Sequence, residues 1–187
     1  PFVNCKGTNT IMGGSVARTE VRLAMEAVAT LNVQMDELVE GVGKRLSELT
    51  GAEWGLVTAG AAAGIKLCTI ACMTGGNPEK LVRIPNLNGF EKTEVIIPAG
   101  MRTVYDQSVR TTGATIITVE NEDDLRKKIG PKTAMIYVEA EKENFMSLET
   151  IVKIAKPLKV PVFVDAAAHI LTFPNVHLAK GADIVAF

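Results

Sequence analysis

No uninterrupted apolar stretch in this sequence approaches the roughly 20 residues needed to span a bilayer. The opening Pro1-Phe2-Val3-Asn4-Cys5-Lys6 also lacks the shape of a secretory signal peptide. A soluble, cytoplasmic protein with no membrane partner is the expectation. Neither sign of charge is in excess: 20 Lys plus Arg stand against 21 Asp plus Glu, a net charge of −1, and the basic residues are scattered rather than gathered in a stripe. Nothing recruits nucleic acid by charge, so nucleic acid is not an expected partner. Cysteine and histidine are scarce, with 3 and 2 residues. Cys68 and Cys72 lie in an apolar helical pattern without a neighbouring histidine, so packed thiols are expected rather than a disulfide or metal site. His169 and His177 form no zinc-binding pattern, and no metal is expected. There is no low-complexity segment, fixed-period repeat or Pro/Gly-rich linker; Gly75-Gly76-Asn77-Pro78 reads as a turn. Two phosphate motifs are missing as well. Gly60 and Gly64 do not make the G-x-G-x-x-G spacing of a dinucleotide site, and no G-x-x-x-x-G-K-[ST] occurs.

What is present is a chain of 187 residues, 47% hydrophobic and 22% charged, the balance of an ordinary globular protein rather than a disordered one. One domain is expected, burying roughly 70% of its unfolded surface. Helical spacing of apolar residues from Arg18 to Thr50 predicts two helices with a break at Asn32 to Asp36, Asp36 serving as the second N-cap and Gly51 as the stop. Strands are then predicted at Trp54 to Thr58, Glu94 to Ile97, Thr115 to Val119, Thr133 to Glu139, Val160 to Val164 and Asp183 to Phe187. Helices are predicted between them at Ala61 to Met73, Val104 to Thr112, Asp123 to Lys128, Leu148 to Ala155 and around Leu178. Such alternation implies an α/β fold: a mostly parallel sheet with helices on both faces.

Two places in this pattern invite chemistry. The apolar run from Val160 ends in Asp165 followed by Ala166, Ala167 and Ala168. This sets a carboxylate at the C-terminal edge of a parallel sheet, where α/β proteins bind ligands. The alternative is that Asp165 caps the next helix. Earlier, Trp54 to Gly64 passes from a predicted strand into a helix through small residues. Unshielded N–H groups at a helix start carry about half a positive charge and suit a phosphate. Tight helix-to-sheet packing favours the same residues. A phosphate cradle early in the sheet and a lone carboxylate late in it match pyridoxal 5'-phosphate (PLP). That cofactor has a phosphate at one end and a pyridine nitrogen at the other, whose protonated form a carboxylate favours.

Five segments resemble one enzyme family in the same order along the chain: Gly7 to Ser15, Met35 to Val39, Leu49 to Glu53, Thr58 to Gly64 and Val164 to Ala168. The family is the selenocysteine synthase-like branch of fold type I PLP enzymes, which includes L-seryl-tRNA selenium transferases and D-glucosaminate-6-phosphate ammonia-lyases. The resemblance implies a PLP-dependent transferase-like large domain. It puts the cofactor phosphate on Gly60, Ala61 and Ala62 and the pyridine nitrogen on Asp165. His169 falls where related lyases have a polar residue near the site, a rim histidine at a helix start being the alternative. The loop Pro98 to Arg102 falls where many such enzymes hold a residue over the cofactor ring, but Met101 is not the usual aromatic or histidine. Arg18 and Arg102 are candidates for an anionic substrate, with a solvated surface arginine as the alternative.

In this family the strand equivalent to Asp183 to Phe187 leads into the loop whose lysine forms the Schiff base. The expectation is therefore that residues 1–187 are an N-terminal segment plus the front part of the PLP domain. No catalytic residue is then assigned within them, since Lys66 lies in a predicted helix and Lys180 precedes the last strand. The function implied is a PLP-dependent lyase of the ammonia-lyase type, eliminating from a small amino-acid or amino-sugar amine, in at least a homodimer. The alternatives are selenium transfer to seryl-tRNA and a non-catalytic α/β binding or scaffold protein. The transferase ranks below the lyase because it usually needs an additional N-terminal tRNA-binding domain, and the charge balance here is neutral.

Overall fold

In a computed structural model, which describes residues 3–5, 7, 10–140, 142 and 146–187, five apolar runs lie side by side. They are β1 (Glu94–Pro98), β2 (Thr115–Val119), β3 (Thr133–Glu139), β4 (Val162–Asp165) and β5 (Ile184–Ala186). Every ladder is parallel and the order is β2-β1-β3-β4-β5. The three central strands are buried along nearly their whole length, as a sheet covered on both faces requires. Ile96, Met135, Ile136, Phe163 and Val164 form its middle, each side chain contributing about 1.5–3 kcal/mol by leaving water.

The helices are α1 (Thr19–Val28), α2 (Met35–Thr50), α3 (Ala61–Thr74), α4 (Pro78–Leu81), α5 (Asp106–Arg110), α6 (Glu122–Lys128), α7 (Leu148–Ala155) and α8 (Val176–Ala179). Their ends follow local chemistry. Asn77, Asn121, Ser147 and Asn175 cap α4, α6, α7 and α8 through side-chain oxygens. Gly51 and Gly75 stop α2 and α3 in the left-handed conformation that glycine adopts without strain. The direction of strand addition reverses between β1 and β3. With right-handed crossovers, this puts α5 on one face and α6, α7 and α8 on the other. The α3 helix packs on α5 and on β3, β4 and β5. Among the described residues no helix is long and apolar enough to cross a membrane.

The predicted strand at Trp54 to Thr58 is not formed. Its first two residues lie against α2 instead of pairing: a Cβ built on Gly43 would lie 2.3 Å from the Trp54 ring, and one on Gly55 equally close to Leu46, whereas Leu56 and Val57 are exposed. Several predicted boundaries move for local reasons. The α2 helix begins at Met35, so Asp36 is in its first turn, beside the positive helix end, rather than at the cap. The α5 helix is shorter than predicted because Thr103 Oγ1 accepts from the Tyr105 N–H, turning the chain before Asp106. Asp183 precedes β5, its carboxylate accepting from the Val162 N–H at 2.8 Å while its own N–H donates to the Val162 carbonyl at 3.0 Å. The resemblance segment Gly7 to Ser15 includes Thr8 and Asn9, which lie outside the described residues.

Candidate active site at the C-terminal edge of the sheet

Asp165 is the last residue of β4 and only 5% exposed. Its Oδ2 accepts from the Tyr137 hydroxyl at 2.6 Å and its Oδ1 from the Ala167 N–H at 3.2 Å. Tyr137 comes from β3, is 1% exposed, and stacks on Phe163 with ring centroids 5.6 Å apart. Burial, then the hydrogen bond to Asp165 and the charges of Asp165, Glu139 and Asp106, raise the phenol's pKa, so Tyr137 is a neutral donor. No cation forms an ion pair with Asp165 among the described residues. A buried carboxylate without a counter-charge is costly unless something supplies one.

The alternative of helix capping is not what the structure has. The Oδ1 bond closes a local turn, the chain after Asp165 runs through turns and loop, and the next helix, α8, is capped by Asn175.

The small-residue turn reaches the same edge. Asp165 pairs with Ala186, and a Cβ on Gly64 would sit 3.7 Å from the Ala186 Cβ, so α3 starts beside the end of β5. Close packing explains Gly64, which is buried. It does not explain Gly60, which has φ of 90° and nothing within 4 Å of a built Cβ. Gly60 O accepts from Ala63 and Gly64 N–H and from the Thr58 hydroxyl, whereas the Ala61 and Ala62 N–H groups carry no protein hydrogen bond among the described residues. Open space and free donors at the start of a 14-residue helix fit a phosphate.

The other candidates separate. His169 is exposed, and no helix starts there; its N–H donates to Ala166 O, and its ring stacks on His177 with Nδ1 and Nε2 3.2 Å apart. Burial, then the positive charges of His169 and Lys180, lower the His177 pKa. Arg102 Nε is ion-paired to buried Asp106, and its Nη1 donates to Thr118 Oγ1 at 3.0 Å. Arg18 is exposed at the N-cap position of α1, a helix with no buried residue, and among the described residues no hydrogen bond or ion pair joins it to Arg102. Met101 is buried in the core rather than presented at the edge. Lys66 is exposed on α3, and Lys180 pairs with Glu149 at 3.4 Å. Cys68 and Cys72 pack against the core, and burial pushes the Cys72 thiol up to about 12. Tyr137 is the residue that sequence reasoning missed. A phenol inside an apolar strand needs a polar partner, which was the available signal.

No family model matches the chain. Comparisons with known proteins nevertheless show what it is similar to, and the likeness supports a relative of the fold type I PLP enzymes. A solved structure of D-glucosaminate-6-phosphate ammonia-lyase superposes on 96% of the chain with a TM-score of 0.88 and 29% identity, using 52% of that structure. The D-glucosaminate-6-phosphate ammonia lyase of Salmonella typhimurium (strain 14028s / SGSC 2262) is 30% identical over 198 residues, 99% of this chain and 53% of its own length. A 5'-C-glycyluridine monooxygenase-decarboxylase from a Streptomyces species is 27% identical over 100% of this chain and 50% of its own. The chain thus spans about half the length of the curated relatives it matches.

Proposed function

We propose that the chain forms the front of the PLP domain of a lyase that removes ammonia from a small amine, an amino acid or amino sugar. The observation that carries this reading is Asp165, a buried carboxylate held by a neutral phenol and without a cation. The relatives' names support an enzyme, and the ammonia-lyase, at 30% identity, favours elimination from an amino sugar. No observation in the structure favours selenium transfer.

When bound, PLP supplies an electron sink for charge developing beside the substrate amine. Asp165 would hold a proton at the pyridine nitrogen, a nearby opposite charge shifting a pKa by about 1–3 units. Tyr137 fixes the carboxylate's orientation. Gly60, Ala61 and Ala62 receive the phosphate on backbone N–H groups, and the absence of larger side chains leaves it room. His169 lies two residues beyond Ala167, whose N–H is bonded to Asp165, and we assign it to the rim of this site. We also propose a homodimer as the working unit, supported by the apolar Val21, Leu23, Met25, Val28 and Leu31 that α1 and its following turn leave exposed.

The test is Asp165→Asn in the full-length enzyme. Exchange of the substrate α-proton is expected to fall on the order of 10²–10³-fold, the scale for losing one preorganised electrostatic partner, with a much smaller fall in PLP affinity. Unchanged exchange would remove Asp165 from the cofactor. In parallel, Ala62→Glu should abolish most PLP binding by putting a negative charge at the phosphate; normal PLP content in that variant would leave packing as the reason for the small residues.

A further inference from the structure

Asn88 and Gly89 are the only Asn-Gly pair in the chain, and they occupy a turn between α4 and β1. The Phe90 N–H closes it by donating to the Leu87 carbonyl at 3.0 Å. Gly89 stands third in the turn with φ of 79°, the position that a type II turn gives to glycine. Both residues are exposed, and a Cβ built on Gly89 would meet nothing within 4 Å.

The other described asparagines are engaged or shielded. Asn77, Asn121 and Asn175 cap helices through their side-chain oxygens. Asn4 donates to the Gly7 and Gly14 carbonyls, and Asn86 Oδ1 accepts from the Asn88 N–H at 3.1 Å. Asn32 is followed by Val33, whose branched side chain crowds the next N–H. The Asn88 carboxamide, by contrast, has no hydrogen bond among the described residues, and neither has the Gly89 N–H. A backbone nitrogen with no side chain beside it thus adjoins a free carboxamide, with room around both.

Arg83 adds a direction. Its Nη2 donates to the Asn88 main-chain carbonyl, while the guanidinium lies over the Phe90 ring, 5.3 Å from the centroid. Phe90 belongs to the core, so the cation is seated on a fixed surface. A charged donor on that carbonyl withdraws electron density from its carbon and stabilises negative charge developing on its oxygen.

We infer that Asn88-Gly89 is a self-modification site, at which the turn converts to isoaspartate with water as the only co-reactant. The Gly89 nitrogen bonds to the Asn88 side-chain carbonyl carbon, the carboxamide C–N bond breaks, and ammonia leaves with the proton that Gly89 gives up. A five-membered imide then joins the two residues. Water adds to one of its two carbonyl carbons, and the bond from that carbon to the Gly89 nitrogen breaks. Addition at the former side-chain carbon gives aspartate. Addition at the main-chain carbon, which Arg83 polarises, gives isoaspartate: the chain now runs through the former side chain, and the new carboxylate is left against Arg83. Nothing in this chemistry depends on PLP, so it holds with or without the lyase reading.

The experiment is incubation of the full-length protein in mildly alkaline buffer, with samples taken over weeks and mapped by peptide mass spectrometry. A synthetic peptide of residues 81–93 is the unfolded reference. The fragment carrying residue 88 should gain one mass unit before any other asparagine in residues 1–187 is converted, and a more acidic ion-exchange species should appear at the same rate. Fragmentation beside the extra backbone methylene counts isoaspartate against aspartate, and the ratio in the native protein should be at least twofold above that in the peptide. Arg83→Gln should bring the ratio down to the peptide's, Arg83→Lys should restore part of the excess, and Asn88→Gln should remove the acidic species that tracks it. If Arg83→Gln does not fold, as read from its unfolding midpoint, the comparison of wild type with the peptide decides. An intact Asn88 while other asparagines are converted, a native ratio equal to the peptide's, or a ratio indifferent to Arg83→Gln in folded protein would overturn the inference.

Discussion

Asp106 and Asp165 are two buried carboxylates associated with the same sheet, and they are held in opposite ways. Asp106 faces the guanidinium of Arg102 and the Thr103 N–H, so its charge is matched inside the protein. Asp165 faces a phenol and the Ala167 N–H, so its hydrogen bonds are made but its charge is not. The first arrangement organises a loop. Under the proposed function the second keeps a negative potential ready for the cofactor's cation, which would be the difference between a structural and a ligand-directed acid.

Substitutions can break this contrast. Asp106→Asn is expected to have the largest effect on folding, about 1.5–3 kcal/mol, because it removes a charged acceptor from two donors. Chemical denaturation should show it as a lower midpoint at constant slope, with PLP content unchanged. Loss of PLP at wild-type stability would instead make Asp106 the ligand-directed acid. Tyr137→Phe keeps the ring on Phe163 and deletes only one donor to the carboxylate, with an expected cost of about 1.5 kcal/mol, the low end for a hydrogen bond to a charged group. In the loaded enzyme it should also move the pH profile of α-proton exchange, which a merely structural phenol would leave alone.

The smallest effect concerns pH, at the end of the loop that leaves Asp165. The lowered pKa of His177 means that the unfolded chain binds its proton more readily than the native one. Its contribution to stability is therefore complete above the unfolded value of about 6.5 and is lost as pH falls through the lower native value. Melting temperature followed from pH 8 to pH 5 should decline less in His177→Asn than in wild type. A parallel decline would mean that the His169–His177 contact carries no proton linkage.

Most strands were legible because their apolar runs are short, β-branched and bounded by turn residues, as at Glu94 to Ile97 and Thr133 to Glu139. The run at Trp54 to Thr58 is also short and apolar, yet a strand needs a neighbour, and no property of those residues reveals that Trp54 and Gly55 lie against α2 instead. Asp165 stood out because a carboxylate ending a buried run is unusual. Tyr137 did not, since its partner is set by the pairing of β3 with β4 across 28 positions of sequence. The arginines show the same limit. Arg18 and Arg102 look alike in a sequence, and only the turn before α5 seats Arg102 against Asp106.

The indole of Trp54, seated on the bare backbone of Gly43, gives the chain a built-in optical reporter. It is the only tryptophan in these 187 residues and is 49% exposed, so its emission is sensitive to how firmly it sits. It also lies six positions before Gly60, on the strap leading into the turn. A change in that turn on ligand binding would be read at the strap as a change in Trp54 emission, a signal arising from the protein itself, without a label. Gly43→Ala would unseat the ring, since a methyl group cannot share its space, and would mute that signal by acting on α2 rather than at the turn.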